Sequence, residues 1–210
     1  MANGKPFVKI CGIKDAEMAQ SAMSSGANAI GLVFYAPSPR AVGLKAACDI
    51  AASLPASVAS VALLVNASAT EIANIIRVVK PDILQFHGDE DAGFCEQFSY
   101  PYWKAIRVNK TTDLLNLAHQ FANAERLLLD ADKNGLYGGS GEAFDYDLIP
   151  QSLSASIILS GGLNPSNVHA AIQAVKPWGV DVSSGVEISK GVKSATLMTQ
   201  FMKEVSRADV

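Results

Sequence analysis

The segment SIILSGGLNPSNVHAAIQAV, residues 156–175, contains the structural unit that decides the fold of this chain. It opens with a short apolar run, passes through two adjacent glycines and ends in a segment with helical periodicity. In this last part, apolar side chains recur at the spacing of one helix face. They are Val168, Ala171, Ile172 and Val175. The segment therefore predicts a strand, a tight turn and a helix in succession.

Capping residues mark the ends of the predicted helices. Asn164 and Pro165 predict the start of the helix in this segment, because Asn favours the N-cap and Pro the first helical position. The segment Ser68–Glu71 has the pattern of a capping box and predicts another helix start. Breaker residues predict the ends of three helices at Gly26, Pro81 and Pro177.

Seven further apolar runs alternate with helical segments along the chain. Strands of a parallel sheet are covered on both faces and read as near-continuous apolar runs. Eight strand–helix units favour an α/β fold, a single-domain (β/α)8 TIM barrel with parallel strands over residues 1–210, and such barrels can be as short as about 200 residues. An open doubly wound sheet is the alternative, which the lack of GxGxxG after the first run disfavours. The runs are FVKIC (7–11), AIGLVF (29–34), SVALLV (60–65), DILQF (82–86), YWKAIRV (102–108), RLLLD (126–130), SIILS (156–160) and GVDVS (179–183).

Composition argues against several classes of protein. A chain of 210 residues, 49% of them hydrophobic, can bury the core of one domain. A formal charge of −3 without a long basic run predicts no nucleic acid partner. The 3 cysteines are odd in number and far apart, so they predict neither a disulfide framework nor a metal site. No apolar stretch approaches the roughly 18 residues of a membrane span, so we expect no membrane association and a cytoplasmic location.

Three reactive side chains stand where apolar runs end. The catalytic residues of TIM barrels lie at the carboxyl ends of the strands. Cys11 ends the first run, His87 follows the fourth and Asp130 ends the sixth. Each has a structural alternative: a buried cysteine is often a small apolar filler, a carboxylate can brace a loop, and a histidine can be a satisfied core residue.

The loops after the last two runs are rich in small residues. Gly161 and Gly162 follow the seventh run, while Ser183 ends the eighth run and Ser184 and Gly185 follow it. Glycine allows close approach of the backbone to an anion, and TIM barrels often hold a phosphate between these two loops. The sequence therefore predicts a phosphate site, with tight turns at positive φ as the alternative.

Two further loops are candidates for substrate binding. Arg40, in YAPSPRAV (35–42), is able to clamp a carboxylate with two parallel hydrogen bonds, or to be a solvated surface arginine. The segment KNGLYGGSGEAFDY (133–146) is long for a connection and rich in glycine. It predicts a mobile flap over the site, with a plain flexible loop as the alternative.

Seven motifs occur in the order found in one enzyme family. They are KICGI, FYAPSPRAV, QFHGDE, LLLDAD, YGGSGEAFDY, LSGGLNPSNV and DVSSGVE. Over nearly its whole length the chain resembles the phosphoribosylanthranilate isomerases of tryptophan biosynthesis. The resemblance implies a cofactor-independent aldose–ketose isomerase, a monomer or homodimer. It would convert N-(5'-phosphoribosyl)anthranilate to 1-(2-carboxyphenylamino)-1-deoxyribulose 5-phosphate by an Amadori rearrangement.

The resemblance also implies roles for single residues. Cys11 would be the general base and Asp130 the general acid, while Arg40 would hold the anthranilate carboxylate. His87 and Asp181 would line the substrate pocket, and the two small-residue loops would hold the phosphate. The acid must hold its proton near neutral pH, and the base must lose its proton, which nearby positive charge favours.

Two alternatives to this function stay open at the level of the sequence. The related aldose–ketose isomerase of histidine biosynthesis is similar in fold and reaction, but has an aspartate where Cys11 stands. A non-catalytic protein that binds a phosphosugar is the alternative from a different class.

Overall fold

Eight parallel strands close into a barrel in the computed structural model, which describes residues 5–131 and 145–208. Each strand pairs with the next, and the last pairs with the first. The predicted TIM barrel is confirmed and the open-sheet alternative is wrong; the assignment of residues 1–210 to a single domain stays a prediction. The strands are β1 (Phe7–Cys11), β2 (Ala29–Phe34), β3 (Ala59–Leu64), β4 (Ile83–Phe86), β5 (Tyr102–Val108), β6 (Arg126–Ala131), β7 (Ile157–Leu159) and β8 (Gly179–Val182).

Helices cover the outer face of the barrel. Each of strands β1–β5 is followed by a helix, as are β7 and β8, and the described residues between β6 and β7 form two 3₁₀ turns. A short antiparallel ribbon, β9 (Glu187–Ser189) and β10 (Val192–Lys193), follows β8. The helices are α1 (Ala16–Ser25), α2 (Leu44–Ser53), α3 (Ala69–Val79), α4 (Ala92–Glu96), α5 (Leu114–Gln120), α6 (Val168–Val175) and α7 (Ala195–Ser206).

Most of the predicted helix boundaries are confirmed. Ser68 and Glu71 form both hydrogen bonds of a capping box at the start of α3. Helix α1 ends at Gly26, whose φ of 97° is left-handed. Helices α3 and α6 end in the same conformation at Lys80 and Lys176, and the proline that follows each of them cannot continue the helix.

The start predicted for α6 is wrong by three residues. The helix begins at Val168, and Asn167 is its N-cap. The side chain of Asn164 instead accepts a hydrogen bond from the Ser166 backbone N–H at 2.8 Å. An asparagine that bonds the backbone two residues ahead forms an Asx turn, and this turn competes with a helix N-cap.

The apolar core lies on both faces of the strands, because successive strand residues point to opposite faces. One cluster lies between the strands and the helices. A second cluster, the inner plug, fills the inside of the barrel around Trp103, and its buried members are Ala29, Val61, Trp103, Ala105, Leu128 and Ile158. A third, small cluster comprises Cys11, Val33, Leu63 and Val65.

A polar layer lies directly above the inner plug. On four strands, one residue belongs to the plug or packs against it, and the residue two positions further along the same strand is polar. The polar layer thus lies nearer the carboxyl ends of the strands, at the barrel mouth. Its buried members are Lys9, Gln85, Asp130 and Ser160, with Asp181 of β8 beside Lys9.

Candidate active site

A buried ion pair lies between β1 and β8 at the base of the barrel mouth. The Lys9 ammonium is fully buried and lies 2.7 Å from Asp181 Oδ1. Ser160 donates a hydrogen bond to the other oxygen of Asp181 at 3.1 Å. Ser183 donates to the backbone carbonyl of Cys11 at 3.1 Å. The structure therefore brings together three residues that the sequence predicts for the site, Cys11, Asp181 and Ser183.

The Cys11 side chain is buried at the end of β1, and its neighbour on β2 makes room for it. Gly31 pairs with Cys11 across the two strands. A Cβ atom at Gly31 would lie only 2.6 Å from the Cys11 sulfur. Sequence reasoning missed Gly31, although a glycine inside a strand is a signal for such a close approach.

Burial governs the protonation of the Cys11 thiol. It raises the pKa of Cys11 above the ordinary value, and the nearby Lys9 and Lys193 ammonium groups oppose this rise without cancelling it. The direction is opposite to the expectation that the site favours the thiolate, because desolvation outweighs the two positive charges. The pKa of the Lys9 ammonium is raised overall. Burial alone would lower it, but the contact with Asp181 more than offsets that effect, so Lys9 stays charged.

On the opposite side of the mouth, β4 and β6 hold a chain of three polar side chains. His87 Nε2 lies 3.2 Å from Asp130 Oδ2. His87 Nδ1 lies 2.9 Å from the side-chain nitrogen of Gln85. All three side chains are buried. The predicted acid and the predicted pocket histidine are thus in direct contact, whereas Gln85 carries no sequence signal beyond its place in an apolar run.

The loop that carries His87 is anchored by a buried carboxylate. Glu90 accepts hydrogen bonds from the backbone N–H groups of Asn66 at 2.7 Å and Gly88 at 2.9 Å. The Lys104 ammonium lies 3.0 Å from Glu90 Oε2. These contacts join the loop after β3, the loop after β4 and strand β5. They therefore fix the position from which His87 reaches Asp130.

Arg40 is held in place by a carboxylate from the segment after β8. Its Nε and Nη2 atoms donate to the two oxygens of Glu187 at 2.7 and 2.9 Å. Lys193 donates to Glu187 Oε1 at 2.8 Å. Burial acts to raise the pKa of Glu187, but the hydrogen bonds from Arg40 and Lys193 dominate and bring it to about 2. Arg40 is therefore not a solvated surface arginine, and sequence reasoning missed both of its neighbours.

The two small-residue loops touch each other. Gly161 and Gly162 adopt φ values of 82° and 69°, as tight turns require. A Cβ atom at Gly185 would lie 1.9 Å from the Leu163 carbonyl oxygen. Ser184 begins the 3₁₀ turn that contains Gly185. The predicted phosphate loops are thus adjacent, and their use as a phosphate site stays a prediction.

Other sequence predictions lie outside the described residues or concern absences. Asp132 and residues 133–144 of the predicted flap are not among the residues described. Within the described ranges, no group of three or more His, Cys, Asp or Glu side chains has the arrangement of a metal site. No helix in this part of the chain has the length and apolar character needed to cross a membrane.

Comparison with known proteins identifies the family of this chain. Residues 8–204 match the family described as N-(5'-phosphoribosyl)anthranilate (PRA) isomerase. The chain belongs to this family. An N-(5'-phosphoribosyl)anthranilate isomerase from Pseudomonas fluorescens is 51% identical over 201 residues, which are 96% of each chain.

Solved structures of the PRA isomerase family share the barrel. The enzyme from Thermotoga maritima is 36% identical, with a TM-score of 0.88 over 96% of this chain and 99% of that one. A second structure is 33% identical, with a TM-score of 0.85 over the same shares. It is a family member in complex with reduced 1-(o-carboxyphenylamino)-1-deoxyribulose 5-phosphate.

Proposed function

We propose that Cys11 and Asp130 are the general base and general acid with which this chain isomerises N-(5'-phosphoribosyl)anthranilate. The isomerase activity, a step of tryptophan biosynthesis, is that of the family to which the chain belongs. One observation carries the assignment of the two residues. Their side chains are buried at the carboxyl ends of β1 and β6, on the rim where TIM barrels hold their substrates.

The reaction needs one acid and one base on opposite sides of the sugar. The acid protonates the ribose ring oxygen, the C1'–O bond breaks, and the nitrogen lone pair forms the iminium. The base then removes the proton from C2', and the C–H electron pair forms the enolamine while the iminium is neutralised. The enolamine tautomerises to the ketone. Asp130 and Cys11 suit these two steps because they stand at the same rim on β6 and β1, which are separated by two strands of the barrel.

The burial of Cys11 suggests when its thiol ionises. Desolvation keeps the thiol protonated, and the Lys9 and Lys193 ammonium groups act in the opposite direction. A cationic iminium above the sulfur would add a third positive charge, at the step in which the base is required. We infer that Cys11 becomes a base only after Asp130 has opened the ring.

The charged ends of the substrate match two regions of the rim. Glu187 occupies the Nε–Nη2 edge of Arg40, so we assign the substrate carboxylate to the end of the guanidinium formed by Nη1 and Nη2. We assign the phosphate to the adjacent loops at Gly161–Leu163 and Ser183–Gly185, whose glycines allow close approach to the backbone.

A continuous fluorescence assay of substrate loss tests the proposal. We expect turnover by the wild-type protein. We expect Arg40→Ala to raise KM more than it lowers kcat, because the carboxylate contact acts in both ground state and transition state. Arg77→Ala, on the exposed face of α3, is the matched control and should change neither constant. Substrate binding without turnover by the wild type would support the non-catalytic alternative.

The location and the oligomeric state of the protein stay predictions. We place the protein in the cytoplasm, with a phosphosugar as its small-molecule ligand. We expect a monomer or a homodimer, which sedimentation would distinguish.

A further inference from the structure

Gln85 has an unusual environment for a buried amide. It is fully buried in β4, two residues before His87, so both side chains point to the same side of the strand. Its nitrogen lies 2.9 Å from His87 Nδ1. Its oxygen has no hydrogen-bond partner among the residues that the structure describes. A buried polar atom without a partner is destabilising, so its presence calls for an explanation.

The orientation of this amide determines which nitrogen of His87 carries the hydrogen. The amide nitrogen can only donate, so Nδ1 must accept. The hydrogen of the neutral ring is then on Nε2, which donates to Asp130 Oδ2 at 3.2 Å. In this arrangement Asp130 Oδ2 accepts, and we assign Asp130 as the carboxylate. It is the state that follows donation of a proton by the acid.

Half a turn of the amide yields the complementary state. The unpartnered oxygen of Gln85 then faces Nδ1 and accepts a hydrogen from it. Nε2 of His87 becomes an acceptor, and Asp130 can pair with it only as the protonated acid. The second state holds one proton more than the first, and this is the proton that the acid delivers to the ribose ring oxygen. When it leaves, the ring hydrogen moves from Nδ1 to Nε2 by exchange with solvent: one water takes the hydrogen from Nδ1 and another supplies a hydrogen to Nε2, so the proton count of the ring does not change.

We propose that Gln85 is a positioning residue that sets the tautomer of His87 and thereby the protonation state of Asp130 that the site stabilises. This inference rests on the proposed role of Asp130. It assigns to Gln85 a function through His87, without contact to the reacting atoms. The Gln85 amide can hydrogen-bond His87 both before and after Asp130 gives up its proton, because its nitrogen donates, its oxygen accepts, and the two groups are nearly equal in size.

Imidazole ¹⁵N NMR tests the proposal directly, since the chain has only 3 histidines. The His87→Asn variant identifies the His87 signals by their loss. In the wild-type protein, we expect the ring hydrogen of His87 on Nδ1 while Asp130 holds its proton and on Nε2 once Asp130 has lost it, so the hydrogen should move between the two nitrogens as the pH is raised. In Gln85→Glu, the carboxylate accepts only, so we expect a hydrogen on Nδ1. A ring hydrogen that stays on one nitrogen over the whole pH range in the wild type, or that stays on Nε2 in Gln85→Glu, would overturn the proposal.

Kinetics provide a second readout. Gln85→Met keeps the volume but offers no strong donor or acceptor, so we expect kcat to fall at least about tenfold. We expect KM to change less than about threefold, because the substrate-binding groups are not altered. Gln120→Met, at the exposed end of α5, is the control for the same exchange.

The outcomes separate this inference from the proposed function. If the wild type turns over substrate but Gln85→Met retains its full kcat, the role of Gln85 is wrong and the function stands. If the wild type shows no turnover, the proposed function fails, and the tautomer measured by NMR still decides whether Gln85 controls His87. Should Gln85→Met fail to fold, the wild-type and Gln85→Glu spectra decide alone.

Discussion

The two sides of the barrel mouth hold the proposed base and the proposed acid by different physical means. On the side of β8 and β1, Cys11 lies beside a buried ion pair, Lys9 and Asp181, whose charges are fixed by contact at 2.7 Å. On the side of β4 and β6, Asp130 lies 3.2 Å from the His87 imidazole, which in turn contacts the Gln85 amide. A fixed charge suits a base that must become an anion, whereas a chain of hydrogen-bonding groups that can donate or accept suits an acid that must change its proton count.

The strongest test of this comparison removes the two reacting groups. We expect Cys11→Ala and Asp130→Asn each to lower kcat by about 10²–10⁴, the usual contribution of a general acid or base. Cys48→Ala is the matched control, because this half-buried cysteine lies on α2 and contacts the Val78 carbonyl. Steady-state kinetics measures the effect. A loss of less than tenfold in either variant would contradict the role of that residue.

Burial, rather than distance, should decide what each ion pair contributes. Lys9→Met leaves Asp181 charged and buried, so we expect the free energy of unfolding to fall by about 3–5 kcal/mol. Lys45→Met removes an exposed pair with Asp49 at the same distance of 2.7 Å and should leave stability nearly unchanged. Urea unfolding measures both. Equal effects of the two variants would show that the pair beside Cys11 has no special role in the fold.

The charged side of the mouth should also make the stability of the fold depend on pH in the acidic range. The pKa of Glu187 is depressed to about 2 from its usual value of 4.5. A depressed carboxyl pKa stabilises the fold above the unfolded value and loses this contribution as pH falls toward 2. We expect Glu187→Gln to be less stable at pH 7 by about 2–3 kcal/mol. Its disadvantage should shrink between pH 5 and pH 2, and a constant difference over this range would contradict the prediction.

The smallest effect tests the space around the thiol. Gly31→Ala would place a Cβ atom 2.6 Å from the Cys11 sulfur, so the thiol must shift. We expect kcat to fall about tenfold, corresponding to about 1.4 kcal/mol in the barrier. Gly43→Ala is the control, because a Cβ atom there meets nothing within 4 Å. An unchanged kcat in Gly31→Ala would mean that the position of the thiol is less constrained than its packing indicates.

The order of apolar runs along the chain, and the residues at which they end, were sufficient to predict the fold and several side chains at the barrel mouth. The eight apolar runs correspond to β1–β8, and the strand ends place Cys11 and Asp130 on one rim. The alternation of strands and helices determines both, because parallel strands must present their carboxyl ends together.

The polar partners of these groups were not predictable in the same way. Lys9 and Gln85 lie inside apolar runs, where periodicity treats a polar residue as an interruption. Glu187 reaches Arg40 across 147 positions of sequence, and no local pattern specifies that contact. The protonation of Cys11 was predicted in the wrong direction, because it depends on a balance between burial and two ammonium groups that only the packed structure defines.

The contact between Gly185 and the Leu163 carbonyl has a consequence for protein engineering. Since no side chain fits between them, the connections after β7 and β8 are shaped as one piece. If a chimera takes only one of these connections from another barrel, the imported connection must fit closely against the native one that remains. Exchange of both connections together is the route by which new loops could be transplanted onto this scaffold.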